Sequence, residues 1–448
     1  MSLAVTSLQQ LLAARPPIQR LIVAYSGGVD SHVLLHLLAT QRDALDGRLL
    51  AAIHVDHGLH PDSRQWAMHC QQVCRELDVS FSKLRVDARP LTGESPEAVA
   101  RRARYQALEE LLDARDALLT AHHRDDQAET LLLQLLRGSG PHGLAAMPMD
   151  APLGRGWLLR PLLDADRTEI LAYARDHDLA WVEDSSNADQ NLDRNYLRHA
   201  ILPHLKARWP EATRSLARSA RWCAETAKLL DARADEDLVM ATAGRPDCLN
   251  IATLRTLDEA RQRNALRRWF RHLQLPSPTA PHLRHILHDA IAVARDRRPL
   301  IHWPGGEVRR YREHLFAMAP LPPHDPTQAF ALAIATALSI PHLGRLRLQP
   351  AQGAGVLATA LAGRPLTVRF RRGGERFRPV GRRHGQELKK LLQEAGVPPW
   401  ERDRLPLLYV DERLAVVAGL WVAADLAAGP DAAGLVLEWQ KPSASDNV

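Results

Sequence analysis

Leu21-Ile22-Val23-Ala24-Tyr25-Ser26-Gly27-Gly28-Val29-Asp30-Ser31 is the stretch that decides the fold. Its first five residues are a short apolar run of strand type, and from His32 to Thr40 leucines recur at helical spacing. A glycine-rich turn between a buried strand and a helix leaves backbone N–H groups at the helix's positive end, a ready seat for a phosphate. Gly27 and Gly28 let the chain turn tightly and approach an anion, while Ser26 and Ser31 can donate hydroxyl hydrogen bonds. No lysine follows, so this is not the Gly-Lys-Ser/Thr phosphate loop. Asp30 is the odd member. A carboxylate beside a triphosphate repels it unless a hard cation lies between, so Asp30 implies Mg²⁺. The plain alternative, a Ser/Gly turn that only starts a helix, is weakened by the strand before it.

Outward from this point strand and helix alternate. Strand-type runs at 49–55, 79–86 and 117–121 are separated by helical patterns at 62–77 and 97–112, and a further helix spans 125–136. Helix 97–112 carries Ala98, Arg101, Tyr105, Leu108 and Leu112 in three- and four-residue steps. The repetition predicts an α/β fold, a doubly wound parallel sheet with helices on both faces and ligands beyond the carboxyl ends of its strands. Residues 138–156, rich in Gly, Pro and Met, read as a loop over the site, and a helix at 164–178 follows. The expected domains are a catalytic unit at 1–215, a helical, arginine-rich middle domain at 216–325 and a small α+β domain at 326–440. Ala319-Pro-Leu-Pro-Pro-His-Asp-Pro326 is the clearest linker.

A chain of 448 residues is long enough for two or three such domains. No basic start with an apolar core opens it, and the uncharged apolar run at 414–424 is too short to span a bilayer, so a cytoplasmic protein without membrane attachment is expected. Its four cysteines form no Cys-x-x-Cys pair, which suits a reducing compartment and argues against a metal cluster. The net charge of +6 is unevenly placed: between Arg364 and Arg404 lie 12 Lys/Arg against 5 Asp/Glu. A basic patch confined to one segment points to a polyanion partner.

A second constellation, His122-His123-Arg124-Asp125-Asp126-Gln127-Ala128-Glu129-Thr130, lies where a strand gives way to a helix. Asp126 and Glu129, three apart, share a face of that helix. Acids in a first turn are also ordinary capping chemistry. Facing the first loop across one sheet edge, they would complete a Mg²⁺ site with Asp30.

Ser26–Ser31 matches the pyrophosphate-loop (PP-loop) signature of the ATP-pyrophosphatase superfamily, of adenine nucleotide α-hydrolase-like fold, whose members split ATP between the α- and β-phosphates. The second segment resembles the His-x-x-Asp-Asp-Gln-x-Glu-Thr motif of the tRNA(Ile)-lysidine synthetases and their tRNA-thiolating relatives. Residues 54–59 (His-Val-Asp-His-Gly-Leu), 97–105, 137–147, 159–163, 181–187 and 194–198 resemble further family segments in order. Ala145-Ala146 stands where the family often has a glycine, implying a stiffer loop. Arg371–Arg376, Lys389–Leu392 and Pro398–Arg402 resemble the family's tRNA-binding C-terminal domain.

The resemblance implies a ligase that joins free L-lysine to C2 of the wobble cytidine of tRNA(Ile) through an adenylylated cytidine. ATP would leave as AMP and diphosphate, and the anticodon would change from reading AUG to reading AUA. It assigns ATP to Ser26, Gly27, Gly28, Val29, Asp30 and Ser31, and Mg²⁺ to Asp30 and Asp126. Glu129 is a metal ligand or the proton acceptor for lysine. His122 and Arg101 would contact the phosphates or the activated base. Arg194, Arg198, Arg376, Arg378, Lys389 and Lys390 would hold tRNA. A PP-loop tRNA cytidine thiolase is the alternative, disfavoured by the missing cysteine pairs, and a tRNA-binding protein with a decayed ATP site is disfavoured by the intact acids. Replacing Lys389 and Lys390 together by alanine should weaken tRNA binding while sparing ATP binding, and flatten the salt dependence by about one unit of slope per lost phosphate contact. Filter binding across a salt series measures this, and unchanged affinity would remove the patch from the argument.

Overall fold

The computed structural model describes residues 2–15, 17–56, 62–87, 96–183, 189–292 and 299–441. Residues 57–59 and 184–187 of two family-like segments lie outside these. The chain divides into two compact units, Met1–Arg233 and Ala234–Val448.

In the first unit, helix α1 (Ser2–Ala13) leads to β1 (Arg20–Ala24), α2 (Val29–Thr40), β2 (Leu49–Asp56), α3 (Ser63–Glu76), β3 (Ser80–Arg85), α4 (Pro96–Glu110), β4 (Asp116–Leu119) and α5 (Arg124–Leu136). A short α6 (Pro141–Leu144), β5 (Asp150–Leu153), β6 (Gly156–Leu159) and α7 (Arg167–Asp176) follow. The sheet runs β3-β2-β1-β4-β6-β5, parallel throughout except for β5, which pairs antiparallel with β6. Strand alternation sorts the core into two faces. Leu21 and Val23 of β1 pack with Val33, Leu34 and Leu37 of α2 and with Cys70 and Cys74 of α3. Ile22, between them, packs on the other side with Leu108 and Leu112. Helices therefore cover both faces, as a buried parallel sheet requires.

The connections fix where a ligand can sit. From β1 the chain moves outward to β2 and β3, then returns to lay β4 against the other side of β1. The strand order reverses between β1 and β4, and the loops leaving their carboxyl ends part there to open a crevice. The residues after β1 are the glycine-rich turn, and those after β4 are the His-His-Arg-Asp-Asp segment.

The stretch expected to be a loop, 138–156, holds α6 and the β5–β6 hairpin instead. It is anchored by Gln127 of α5, whose side chain accepts from the Met147 N–H at 2.9 Å and donates to the Met147 carbonyl at 2.7 Å. After α7 come α8 (Asp193–Tyr196), a π turn (Leu197–Ile201), α9 (Leu202–Arg208) and the long α10 (Ala212–Ala241). Pro203 explains the π turn: it has no N–H for the His199 carbonyl and its ring crowds that oxygen, so the helix widens there.

The second unit begins with a mostly helical region, α11 (Ile251–Arg255), α12 (Glu259–His272) and α13 (Ala280–His285). It packs on a four-stranded antiparallel sheet the sequence did not reveal, β7 (Cys248–Asn250), β8 (Leu300–Trp303), β9 (Gly306–Tyr311) and β10 (His314–Met318), in the order β7-β10-β9-β8. Beyond residue 325 short strands dominate, gathered around Leu348, Val368, Phe370, Leu391 and Leu407. Two of them, Arg376–Phe377 and Gln386–Glu387, form a hairpin that leads into a helix at Leu388–Glu394.

Ala146 has φ +53°, in the left-handed region. Ala146→Gly removes the Cβ strain at the cost of some chain entropy, and should raise stability by about 0.5–1 kcal/mol in urea titrations.

Candidate active site

At the head of the crevice, Gly27 takes φ +90°, and a Cβ built on it would lie 3.1 Å from Cys70 Sγ and 3.6 Å from Val182 Cγ2. A side chain here would crowd Cys70 and strain the backbone at its positive φ. The two serines shape the loop from within. Ser31 Oγ accepts from the Ser26 N–H at 3.2 Å, donates to the Gly28 carbonyl at 3.0 Å and lies 3.0 Å from Ser26 Oγ. Gly28 is the N-cap of α2, and no side chain caps the helix, which leaves N–H groups of its first turn for a ligand.

Asp30 lies in that first turn. Its Oδ1 is buried without a hydrogen-bond partner. Burial raises its pKa, and nearby Asp126 adds to the rise against the opposing pull of His123, Arg167 and Arg198. The free oxygen would suit a hard divalent ion carrying a polyphosphate.

Across the crevice, His123 is the N-cap of α5. Its Nδ1 accepts from the Asp125 N–H at 3.2 Å, while Asp126 Oδ2 accepts from the His123 N–H at 2.9 Å, a reciprocal capping box. Because Nδ1 accepts, Nε2 carries a proton. That Nε2 sits 3.4 Å from Asp126 Oδ2 and 3.7 Å from Asp30 Oδ2. One buried imidazole thus bridges the acids of the two loops.

The other oxygens of α5 face a pair of arginines. Glu129, with no exposed side-chain surface, accepts from Arg194 Nε and Arg198 Nε, each at 2.7 Å, and from Arg198 Nη2 at 3.0 Å. Asp126 Oδ1 accepts from Arg194 Nη2 at 2.9 Å and Arg198 Nη2 at 3.0 Å. Burial alone would raise the Asp126 carboxyl; His123, Arg194, His122 and the His123 N–H overcome it and hold the pKa at about 2. Next to them, Lys206 Nζ donates to Asp125 Oδ2 at 2.6 Å.

Three of the expected ligand-binding residues are engaged with protein partners in this structure. Asp126, expected beside Asp30 as a metal ligand, has donors on both oxygens here. Among the described residues no three His, Cys, Asp or Glu side chains are disposed to hold a metal ion. Arg194 and Arg198 were expected on tRNA, but their Nε and Nη2 groups hold the α5 acids, because a buried carboxylate needs paired charge.

His122 forms a 2.9 Å hydrogen bond through Nδ1 with Thr120 Oγ1. Burial, with Arg160, Arg194 and Arg101 outweighing Asp126, pushes its pKa down to about 3, so the ring stays neutral near neutral pH. Arg101, on the exposed side of α4, stacks its guanidinium 5.2 Å from the Tyr105 ring. Three groups the sequence did not single out belong here: His123, Arg160 and Arg167. The Nε atoms of Arg160 and Arg167 are buried without partners, while Arg160 Nη1 donates to the Pro148 carbonyl at 2.7 Å. Only position could have marked His123, the residue just before a helix that opens with acids.

In the other unit, Arg376, Arg378, Lys389 and Lys390 are exposed, while Leu388, Leu391 and Leu392 of the same helix are buried. Nearby Arg369, Arg371 and Arg382 are paired with Glu412, Asp403 and Glu394. Lys389, Lys390, Arg376 and Arg378 are among the exposed cations of the segment that no ion pair in the described residues engages.

Residues 2–205 match the family model of the PP-loop domain, 249–316 that of the TilS substrate binding domain and 366–439 that of the TilS substrate C-terminal domain. A tRNA(Ile)-lysidine synthase of Methylococcus capsulatus is 45% identical over 97% of this chain and 99% of its own. The chain belongs to the tRNA(Ile)-lysidine synthase family. Another member, from Coxiella burnetii, is 41% identical over 94% of this chain and 93% of its own. A solved U34-tRNA thiolase from Methanococcus maripaludis is similar only distantly, at 18% identity and TM-score 0.42 over 50% of this chain and 78% of its own.

In this family member Arg198→Ala would strip Glu129 of one of its two cations. It should cost about 3 kcal/mol of stability in urea titrations, whereas Arg378→Ala at an exposed site should stay within about 0.5 kcal/mol. Equal stabilities would return Arg198 to a purely tRNA-facing role. Asp126 adds a pH signature: with its pKa lowered from 3.8 to about 2, its contribution is complete above pH 3.8 and fades as pH falls toward 2.

Proposed function

We propose that this chain ligates free L-lysine to C2 of the wobble cytidine of tRNA(Ile) with ATP as the activating reagent, forming lysidine and releasing AMP and diphosphate. The reading rests on one observation, in a chain of this family: a glycine-rich helix start and an Asp30 carboxylate with one unpartnered oxygen lie across a single strand-order reversal from the α5 acids.

The chemistry explains the need for both loops. The C2 oxygen of cytidine is a poor leaving group. In the first step it attacks the α-phosphorus, the bond to the β-phosphate breaks, and diphosphate leaves. In the second, the ε-amine of lysine attacks C2, the C2–O bond breaks, and the oxygen departs on AMP while the nitrogen gives up a proton. Ser26, Gly27, Gly28, Val29 and Ser31 would seat the departing diphosphate through their N–H and hydroxyl groups. Asp30 would hold Mg²⁺, which when bound supplies positive charge to the phosphates. Neutral His122 and charged Arg101 would contact the phosphates or the activated base. Arg194 and Arg198 hold Asp126 and Glu129 in place. Glu129 becomes able to take the lysine proton once one of these arginines turns toward a phosphate.

A thiolase needs a thiolate or a cluster. Burial pushes the thiols of Cys70 and Cys74 up to about 12 and that of Cys248 up to about 11, so each stays protonated and a poor sulfur carrier. An amine is the better acceptor. We assign catalysis to residues 1–215, substrate binding to 216–325 and retention of tRNA to 326–440, in a cytoplasmic enzyme; among the described residues no helix is long and apolar enough to cross a membrane.

Radiolabelled lysine incubated with ATP and unmodified tRNA(Ile) should enter the tRNA, with AMP released in step. Sulfur-dependent, lysine-independent AMP release would favour the thiolase. Asp30→Ala should slow diphosphate release by about a hundredfold or more while leaving tRNA affinity unchanged. Normal release by this variant would remove Asp30 from the site.

A further inference from the structure

The chain has ten Trp, six Tyr and six Phe. All lie within the described residues, and the three that stand broadly exposed are Tyr196, Trp209 and Trp222, at 49%, 57% and 58%. They fall within one short stretch of sequence, the helical segment that follows the catalytic crevice. Each presents a large apolar face to water, and all three fall between residues 196 and 222.

Contacts tie this segment to the crevice. Tyr196 lies between Arg194 and Arg198, which hold Asp126 and Glu129. Trp209 ends α9, the helix whose Lys206 pairs with Asp125 at the start of α5. Trp222 neighbours Arg221, which pairs with Asp164 at 3.0 Å; the Asp164 carbonyl in turn accepts from Arg124 of α5. The three rings thus rise from elements attached to the edge where the base must react.

Their surroundings are cationic. The Arg208 guanidinium lies 5.5 Å from the Trp209 ring, and that of Arg218, one helical turn before Trp222, lies 5.7 Å from its ring. Aromatic faces interleaved with arginines suit unpaired bases on a phosphate backbone, each ring offering a stacking surface and each guanidinium a phosphate contact. A cytidine can react in this crevice only once it is out of its stack, and its neighbours then need new partners.

We propose that Tyr196, Trp209 and Trp222 form a stacking ledge for the unpaired RNA bases that flank the target cytidine. The proposal rests on the tRNA-modifying reading above and extends it to a named surface.

The test uses the full chain, an RNA hairpin with an unmodified cytidine in its loop, and a blunt duplex of the same stem. The hairpin should quench tryptophan fluorescence and the duplex should not. Trp209→Ala and Trp222→Ala should each weaken hairpin binding by about tenfold, with the salt slope unchanged because no charge is lost. Phenylalanine at either position should restore most of the affinity, and ATP binding should stay as in the parent. Tyr196→Leu, which keeps bulk without an aromatic face, gives a third reading if an alanine variant folds poorly. Hairpin affinity unchanged in all three overturns the ledge. So does altered sedimentation of the free protein with RNA binding intact, which would mark a protein contact. A parent protein that binds the hairpin through these residues yet never incorporates lysine would sink the proposed reaction and leave the ledge standing.

Discussion

The site depends on a carboxylate with no access to water. The Glu129 side chain is wholly buried, and an isolated buried charge costs several kcal/mol. Arg194 and Arg198 supply the opposite charge from a segment more than sixty residues away. Because the same two guanidiniums also grip Asp126, the pairing fixes the start of α5 against the helical segment after α7. That in turn holds His123 where it can reach across to Asp30.

Two loops of different origin therefore act as one. The first brings backbone N–H groups and an underneutralised acid, the second brings acids already neutralised and a ring that spans the gap. The contrast between Asp30 and Asp126 follows from their neighbours. Asp126 is buried with arginines and a backbone donor at hand, while Asp30, a third exposed, has one buried oxygen without a protein partner. Paired acids of opposite tendency are a recurring means of dividing roles within one site.

Much of this was legible in the order of residues, for reasons that are local. A strand, two glycines and a helix declare themselves within a dozen positions, and Gly27 takes the positive φ that its residue type anticipates. Alternation of buried strands and amphipathic helices revealed the sheet for the same reason. The partners of Glu129 were not legible, since nothing in Arg194 or Arg198 says which acid, far off in sequence, they will meet. Nor could adjacency separate His122 from His123; only the point where α5 begins makes one a cap and bridge and the other a neutral neighbour. The β5–β6 hairpin and the sheet of the second unit escaped because their strands are short and their pattern is broken by Gly and Pro.

The π turn at Leu197–Ile201 places one more residue between Tyr196 and α9 than a regular helix would need. Each residue of helix turns the next by about 100°. Shortening this turn by a single position would swing Lys206 away from Asp125 and carry Trp209 around with it. The segment's length is thereby tied to the aim of everything beyond it, so sequence drift here can change letters more freely than it can change their number.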